Sequence, residues 1–189
     1  DIKTICLDKT GTLTEGKPEV VELICEATSH TAVLSAAASV DLASEHPIAR
    51  AIVNAAKEQG VPLEGVQDFK AWPGQGVTAR IGNQEIIMGK DEFLRARGVN
   101  TSAFSFKVLE HQQAGHTVIL IASNEHAIGA IAVADTLKAS SGDAVKAFKR
   151  LGLNVVMITG DNEKTAQSVA ATLGIDRVLA NVMPEEKAN

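Results

Sequence analysis

Three short polar clusters in this 189-residue chain each follow an apolar run: Asp8-Lys9-Thr10 after Thr4–Leu7, Asp135-Thr136 after Ile128–Ala134, and Thr159-Gly160-Asp161-Asn162 after Val155–Ile158. Runs of that length read as buried strands. In an open parallel sheet the carboxyl ends of the strands line the crevice where ligands bind, so three separate stretches are predicted to converge on one site. Asp8, a carboxylate at a strand tip beside Lys9, is a candidate nucleophile, and the small Gly11 lets backbone amides approach an incoming phosphoryl group. Thr159-Gly160 leads into a helix N-terminus, whose free amides and positive dipole end suit a phosphate. Lys187 adds a mobile ammonium for the same anion. In-line phosphoryl transfer depends mainly on positioning and charge neutralisation, which these groups supply together with a divalent metal. One Asp after a strand is most often a turn residue; three such clusters together favour a site.

The elements that must position these groups follow from periodicity. After Ile128–Ala134, a helix capped by Ser140 or Ser141 carries Val145, Phe148 and Leu151 on one face and closes at Gly152. Val155–Ile158 is the next strand, followed by a helix with Ala166, Val169, Ala170 and Leu173 inward, stopped by Gly174, and by a third strand at Arg177–Ala180. Continuous apolar strands alternating with helices predict a parallel sheet covered on both faces, and Thr4–Leu7 is placed in it. Glu15-Gly16-Lys17-Pro18 reads as an interruption that continues neither strand nor helix.

The middle of the chain has a different pattern. Val33, Leu34, Ala37 and Val40 mark one helix; a second starts at Pro47, which makes His46 its N-cap, and runs with Ile48, Ala51, Ile52 and Ala55 to Gly60. Two hairpins follow, one turning at Gly82-Asn83 and one at Ser123–His126. The predicted architecture is α/β: a parallel-sheet domain of residues 1–21 and 133–189, interrupted by an antiparallel α+β insert of 22–132.

Composition narrows the function classes. Lys and Arg number 18 against 23 Asp and Glu, a net charge of −5, with 45% hydrophobic and 22% charged residues, as in ordinary globular proteins. Mild acidity without a basic run argues against nucleic acid, as does a 3% aromatic content with one Trp and no Tyr. No apolar stretch approaches the ~20 residues a membrane helix needs, and the opening residues are no signal peptide, so a soluble chain is expected. Cys6 and Cys25 read as reduced, packed thiols, and His30, His111, His116 and His126 as solvated surface residues.

Asp8-Lys9-Thr10-Gly11-Thr12-Leu13-Thr14 resembles the phosphorylation motif of P-type ATPases, and Thr159-Gly160-Asp161-Asn162 matches a second signature of that family. Ser44-Glu45-His46-Pro47 and Gly74-Gln75-Gly76-Val77 are similar to the nucleotide-binding motifs of its heavy-metal-transporting class, and Pro184-Glu185-Glu186-Lys187 falls where the family places a phosphate-contacting lysine. The resemblance implies a haloacid-dehalogenase-like phosphorylation domain with an inserted nucleotide-binding domain. It implies that Asp8 takes the γ-phosphate of ATP, with Mg²⁺ held by the Asp8 carboxylate and the Thr10 carbonyl. Thr159, Gly160 and Lys187 then cradle the phosphate, and Asp161 and Asp135 order the site and the hinge. Glu45 and His46 are assigned to adenine, Gly74 and Gly76 to close approach to the nucleotide, and Gly89 to a further contact. Thr10 stands where soluble phosphatases of the superfamily usually have an acid/base Asp; a threonine does not ionise, which favours a longer-lived acyl phosphate.

Family members continue beyond the position of Asn189 through a Gly-Asp-Gly-x-Asn-Asp segment and also carry an actuator domain and membrane helices. The expectation is therefore a catalytic fragment from the cytoplasmic face of a transporter, whose partners are ATP and those other domains and which does not itself bind the transported ion. The wording of the motifs is slightly closer to copper-exporting members than to zinc or cadmium ones. The competing expectations are a soluble phosphatase with a large cap and a nucleotide-binding module without turnover.

Overall fold

In the computed structural model, which describes residues 2–183, the chain runs β1 (Thr4–Asp8), β2 (Thr14–Ile24), α1 (His30–Asp41), α2 (Pro47–Glu58), β3 (Val66–Trp72), β4 (Gly76–Ile81), β5 (Gln84–Gly89), α3 (Asp91–Arg95), α4 (Ser105–Gln113), β6 (Thr117–Ser123), β7 (His126–Leu137), α5 (Ser141–Arg150), β8 (Asn154–Ile158), α6 (Glu163–Leu173) and β9 (Arg177–Leu179). Among the described residues they form two compact units, one of 2–17, 112–117 and 135–183, the other of 18–111 and 118–134. The fold class is mixed α/β, as the alternation of patterns predicts.

In the first unit, β1, β8 and β9 form a parallel sheet in that order, with Leu7 opposite Met157 and Asp8 opposite Ile158. Met157, Val155, Val145, Ala166, Ala170 and Leu173 form its core, joining the strands to α5 and α6. The helix α6 begins where Asn162 Oδ1 accepts the Thr165 amide at 3.0 Å and ends at Gly174, whose left-handed φ of 70° releases the chain. At α5 the N-cap is Ser140, which makes no side-chain capping bond; the Ser141 hydroxyl instead donates to Leu13 O at 2.8 Å.

In the second unit the sheet order is β2-β7-β6-β5-β4-β3, with antiparallel pairing from β3 through β6. One core cluster packs Val33, Leu34 and Ile52 of α1 and α2 against Ala79, Ile81, Ile86 and Ile121; a second joins Phe93, Leu94, Phe104 and Val108 to Ile87, Leu120 and Ala130. A Cβ at Gly129 would stand 2.9 Å from Val33, so the absence of a side chain there lets α1 seat on the sheet.

Several expectations are corrected. Glu15-Gly16-Lys17-Pro18 does not interrupt the strand: β2 runs through it, because β2 is an edge strand that tolerates a missing N–H and because Gly16 takes a φ of 71°. Nor does the apolar strand before Asp135 stop there; β7 continues to Leu137, and Asp135 is held within it by bonds from Thr14 and Lys17. Cys6 is exposed on β1 rather than packed, while burial raises the pKa of the half-buried Cys25 thiol. His111 is buried, with Nε2 3.0 Å from Glu22 Oε2, because α4 lays it against β2.

The last residue of α1, Asp41, is 6% exposed, and burial pushes its carboxyl up to about 7. A carboxylate at a helix C-terminus also opposes the helix dipole. The folded chain therefore keeps this proton through a range in which an unfolded Asp, ionising near 3.8, has released it. Its contribution is favourable below that value and is lost as pH rises through about 7. Asp41→Asn should raise the thermal midpoint little at pH 4 and substantially at pH 8, by an amount corresponding to a few kcal/mol at most (order of magnitude); equal shifts at both pH values would contradict this.

Candidate functional site

Asp8 ends β1, and the chain then makes one wide turn, Lys9–Leu13, closed by the Thr14 amide on Lys9 O. This is no regular helix: Thr10 is extended (φ −72°, ψ 122°) and Gly11 left-handed (φ 75°). The turn is held from three sides. Thr14 Oγ1 accepts the Gly11 amide at 3.1 Å and lies 2.5 Å from Asp135 Oδ2, to which it donates, while Asp135 Oδ1 takes the Lys17 amide at 3.1 Å. Lys138 Nζ donates to Gly11 O at 2.7 Å, and Leu13 O accepts both the Lys138 amide and the Ser141 hydroxyl.

Lys9 is 6% exposed, and its ammonium forms an ion pair with Asp161 Oδ2. Asp161 lies in the loop between β8 and α6. It takes a hydrogen bond from Thr159 Oγ1 (2.9 Å) on Oδ2 and one from Thr117 Oγ1 (2.8 Å) on Oδ1. Burial pushes the Asp161 carboxyl up, but the Lys9 charge and the bonds from Lys9, Thr117 and Thr159 outweigh it and leave its pKa below the ordinary value. The loop is tied to its neighbours by Thr159 N–H on Leu179 O (2.9 Å) and Asn181 N–H on Asp161 O (2.8 Å). Around Gly160 there is room, the nearest atom to an added Cβ being Val182 O at 3.5 Å. The structure thus brings Asp8, Lys9, Thr159 and Asp161 together at adjoining strand ends, with Asp135 bracing the turn and Thr10 exposed on it. Lys187 lies outside the described residues.

In the second unit, His46 is the N-cap of α2: its Nδ1 accepts the Ile48 amide at 3.2 Å, which assigns the ring proton to Nε2. Glu45 and His46 are both exposed. Gly74 has a φ of 70° and follows Pro73 in a turn closed by the Gln75 amide on Trp72 O at 3.0 Å. Gly76 and Gly89 face each other across β4 and β5. A Cβ at Gly76 would collide with Met88 O and the Phe93 ring, and one at Gly89 with Gln75 O and Gly76 Cα, so both glycines already answer a packing demand inside the protein.

Two groups were not anticipated from sequence. Thr117 bonds Asp161 from 44 positions away, and no local pattern marks it. Asp41, five positions before His46, carries a signal that was available: it falls at the i, i+3, i+4, i+7 spacing of Leu34, Ala37 and Ala38 on an otherwise apolar stripe.

The donor chemistry at the β1 tip suits Mg²⁺. Among the described residues no group of three or more His, Cys, Asp and Glu side chains gathers anywhere. A cation beside Asp8 would rest on one carboxylate, the Thr10 carbonyl, water and a ligand phosphate, which is how Mg²⁺ is commonly bound. Asp161→Asn should destabilise the chain by about 3–5 kcal/mol at neutral pH, because it leaves the buried Lys9 ammonium without its counter-charge. The contribution of Asp161 is present above an ordinary Asp pKa and lost as pH falls through its lowered one, so the gap between the two proteins in chemical denaturation should shrink in acid; a pH-independent gap would contradict this.

Known proteins resemble this chain in sequence and fold. A copper-exporting P-type ATPase of Staphylococcus saprophyticus is 42% identical over 187 residues, covering 99% of this chain and 23% of that protein. A probable copper-transporting ATPase, PacS, of Synechococcus elongatus is 41% identical over 189 residues, covering 99% and 25%. The chain thus spans about a quarter of the length of these relatives. Among solved structures, the catalytic domain of the CPx-ATPase CopB-B superposes with a TM-score of 0.75 at 33% identity, over 99% of this chain and 64% of that one. The N-domain of HMA8, a copper-transporting P-type ATPase, matches 61% of this chain and 99% of its own, with a TM-score of 0.54 at 29% identity. The model of the haloacid dehalogenase-like hydrolases matches residues 2–189, and with the parallel sheet and the strand-tip aspartate it places the chain in that family.

Proposed function

We propose that the chain is the ATP-binding, autophosphorylating catalytic unit of a heavy-metal-transporting P-type ATPase, with copper as the transported ion. The observation that carries this reading is the position of Asp8: it ends β1 opposite Ile158, next to the Thr159–Asp161 loop, with Lys9 buried onto Asp161. Support for the transporter class comes from relatives named as copper-exporting and copper-transporting ATPases.

On this reading the Asp8 carboxylate attacks the γ-phosphorus of ATP in line. The bond to the bridging oxygen breaks, ADP leaves with the electron pair, and an aspartyl phosphate forms with no proton to move. The Asp8 carboxylate and the Thr10 carbonyl would hold Mg²⁺, which would supply neutralisation of the phosphate charge. Gly160, together with Lys187, would receive the phosphate, and the room around Gly160 allows this, while Thr159, whose amide and hydroxyl donate to Leu179 O and Asp161, holds the loop in place. Lys9 and Asp161 hold the geometry from below rather than meeting the substrate, since each neutralises the other. Thr10 does not ionise and so offers no base for rapid hydrolysis of the acyl phosphate.

In the second unit His46 presents Nε2–H as a donor and the adjacent Glu45 a carboxylate as an acceptor; together these suit the donor and acceptor edge of a purine. The exposed Gly74 leaves the backbone of its turn open to the nucleotide, whereas Gly76 and Gly89 act behind it, letting β4, β5 and Phe93 pack closely. The catalytic unit would lie at the cytoplasmic face of a membrane protein, joined to its membrane and actuator domains. Among the described residues no helix is long and apolar enough to cross a membrane.

Two experiments test the reading. The full transporter containing this chain, incubated with γ-labelled ATP and Mg²⁺, should acquire an acid-stable label that hydroxylamine removes and that Asp8→Asn abolishes. Phosphate release from small phosphomonoesters without such a label would instead indicate a phosphatase. His46→Asn keeps a good N-cap, so the thermal midpoint should hold, with a stability change under about 0.5 kcal/mol. It removes the imidazole, and ATP affinity measured by calorimetry should fall by about tenfold, the worth of one good hydrogen bond. Unchanged affinity would count against the adenine assignment.

A further inference from the structure

The turn at Gly74–Gly76 is backed by a stack that neither the phosphoryl site nor the adenine motif uses. Arg97 Cζ lies 3.6 Å from the centre of the Phe93 ring and 4.5 Å from that of Trp72, and the two rings are 5.4 Å apart at a tilt of 56°. Arg97 Nη1 also donates to Phe93 O at 3.2 Å, which holds the guanidinium over the ring. The stack is joined to the turn at both of its ends. Trp72 supplies the carbonyl that closes the turn, and Gln75 O accepts the Lys90 amide at 3.0 Å, at the residue that caps α3. Phe93, one helical step further on, fills the space a side chain at Gly76 would occupy, 2.6 Å from the position of the missing Cβ.

The stack lies on one face of the sheet and the adenine motif belongs to the other. Val77, Ala79 and Ile81 of β4 pack in the cluster of α1 and α2, whereas Trp72 and Phe93 belong to the cluster of α3 and α4. Alternation along β4 therefore turns Gly76 towards Phe93 and its neighbour Val77 towards the helices. Anything that moves Phe93 moves the floor of the turn, and Arg97 is the group that pins Phe93 from outside.

We infer that Arg97 is a positioning residue: by stacking on Phe93 and Trp72 it sets the shape of the Gly74–Gly76 turn and thereby the affinity for nucleotide. This rests on the nucleotide-binding reading above. A planar guanidinium is required for it, since a lysine keeps the charge but stacks poorly. Trp72 is the chain's only tryptophan, so its emission reports the stack directly.

The test compares the unaltered chain, Arg97→Leu and Arg97→Lys, each titrated with ATP in EDTA by calorimetry and by amide spectra, with Trp72 emission and thermal midpoint recorded alongside. Arg97→Leu should shift the amide signals of Gly74 and Gly76 before any ATP is added, change Trp72 emission, and weaken ATP binding by about fivefold, in keeping with a partly desolvated cation–π contact. Arg97→Lys should fall between the two. A purely structural role would lower the midpoint yet leave ATP affinity and the turn amides of the folded protein unchanged, and that result overturns the inference. Should Arg97→Leu fail to fold, Arg97→Lys alone decides: affinity within the error of the unaltered chain overturns the inference, and weaker binding with shifted turn amides supports it. No ATP binding by the unaltered chain would overturn the nucleotide reading and this inference with it, whereas normal binding that Arg97→Leu leaves unchanged overturns only the inference.

Discussion

The buried ion pair between Lys9 and Asp161 is the constraint on which the strand-tip site depends. Taking an ammonium and a carboxylate out of water costs several kcal/mol each, and only good geometry with further hydrogen bonds offsets that. Asp161 meets the condition through Thr117 and Thr159 as well as Lys9. Because Lys9 directly follows Asp8, the pair fixes where the nucleophile leaves β1; because Asp161 lies between β8 and α6, it fixes the loop that faces it. Neither partner can move without stranding the other's charge, so the site is organised before any ligand arrives. Organisation of that kind matters in phosphoryl transfer, where the protein contributes mainly position and charge.

Around that pair, ordinary polar contacts hold an irregular backbone. The turn after Asp8 has neither helical nor strand geometry, and Thr14, Lys138 and Ser141 replace the backbone bonds that regular structure would supply. The second unit solves a related problem with its glycines. Gly76 and Gly89 are needed because Phe93 and neighbouring carbonyls occupy the space where side chains would go, so a feature that a motif associates with ligand approach is also a requirement of packing. His46 likewise does two jobs: capping α2 with Nδ1 selects the tautomer that presents Nε2–H.

Sequence and structure part company where a residue's role depends on its neighbours across the sheet. Pro18 and Gly16 look like strand breakers, yet β2 passes through them as an edge strand. Asp135 looks like a strand terminus, yet pairing carries β7 two residues further. The histidine at 111 has a polar local context and is buried against Glu22, while Cys6, in an apolar run, is exposed. Each outcome is decided by what lies opposite in space, which a window of adjacent residues does not contain.

Periodicity and local turn chemistry alone were enough to place β1, β8, β9, α5 and α6 close to their observed limits, to give the N-cap at His46 with Pro47 behind it, and to mark Asp8 and the Thr159–Asn162 loop as strand-end chemistry. These are short-range properties: a buried strand must be apolar along its length, and a helix must begin and end on residues that satisfy its free amides and carbonyls. Tertiary structure alone decided that Lys9 is buried against Asp161, that Thr117 completes that carboxylate's bonds, and that Asp41 keeps a proton to about pH 7. Desolvation and charge pairing are sums over everything within a few ångströms, and those neighbours are brought together only by the fold.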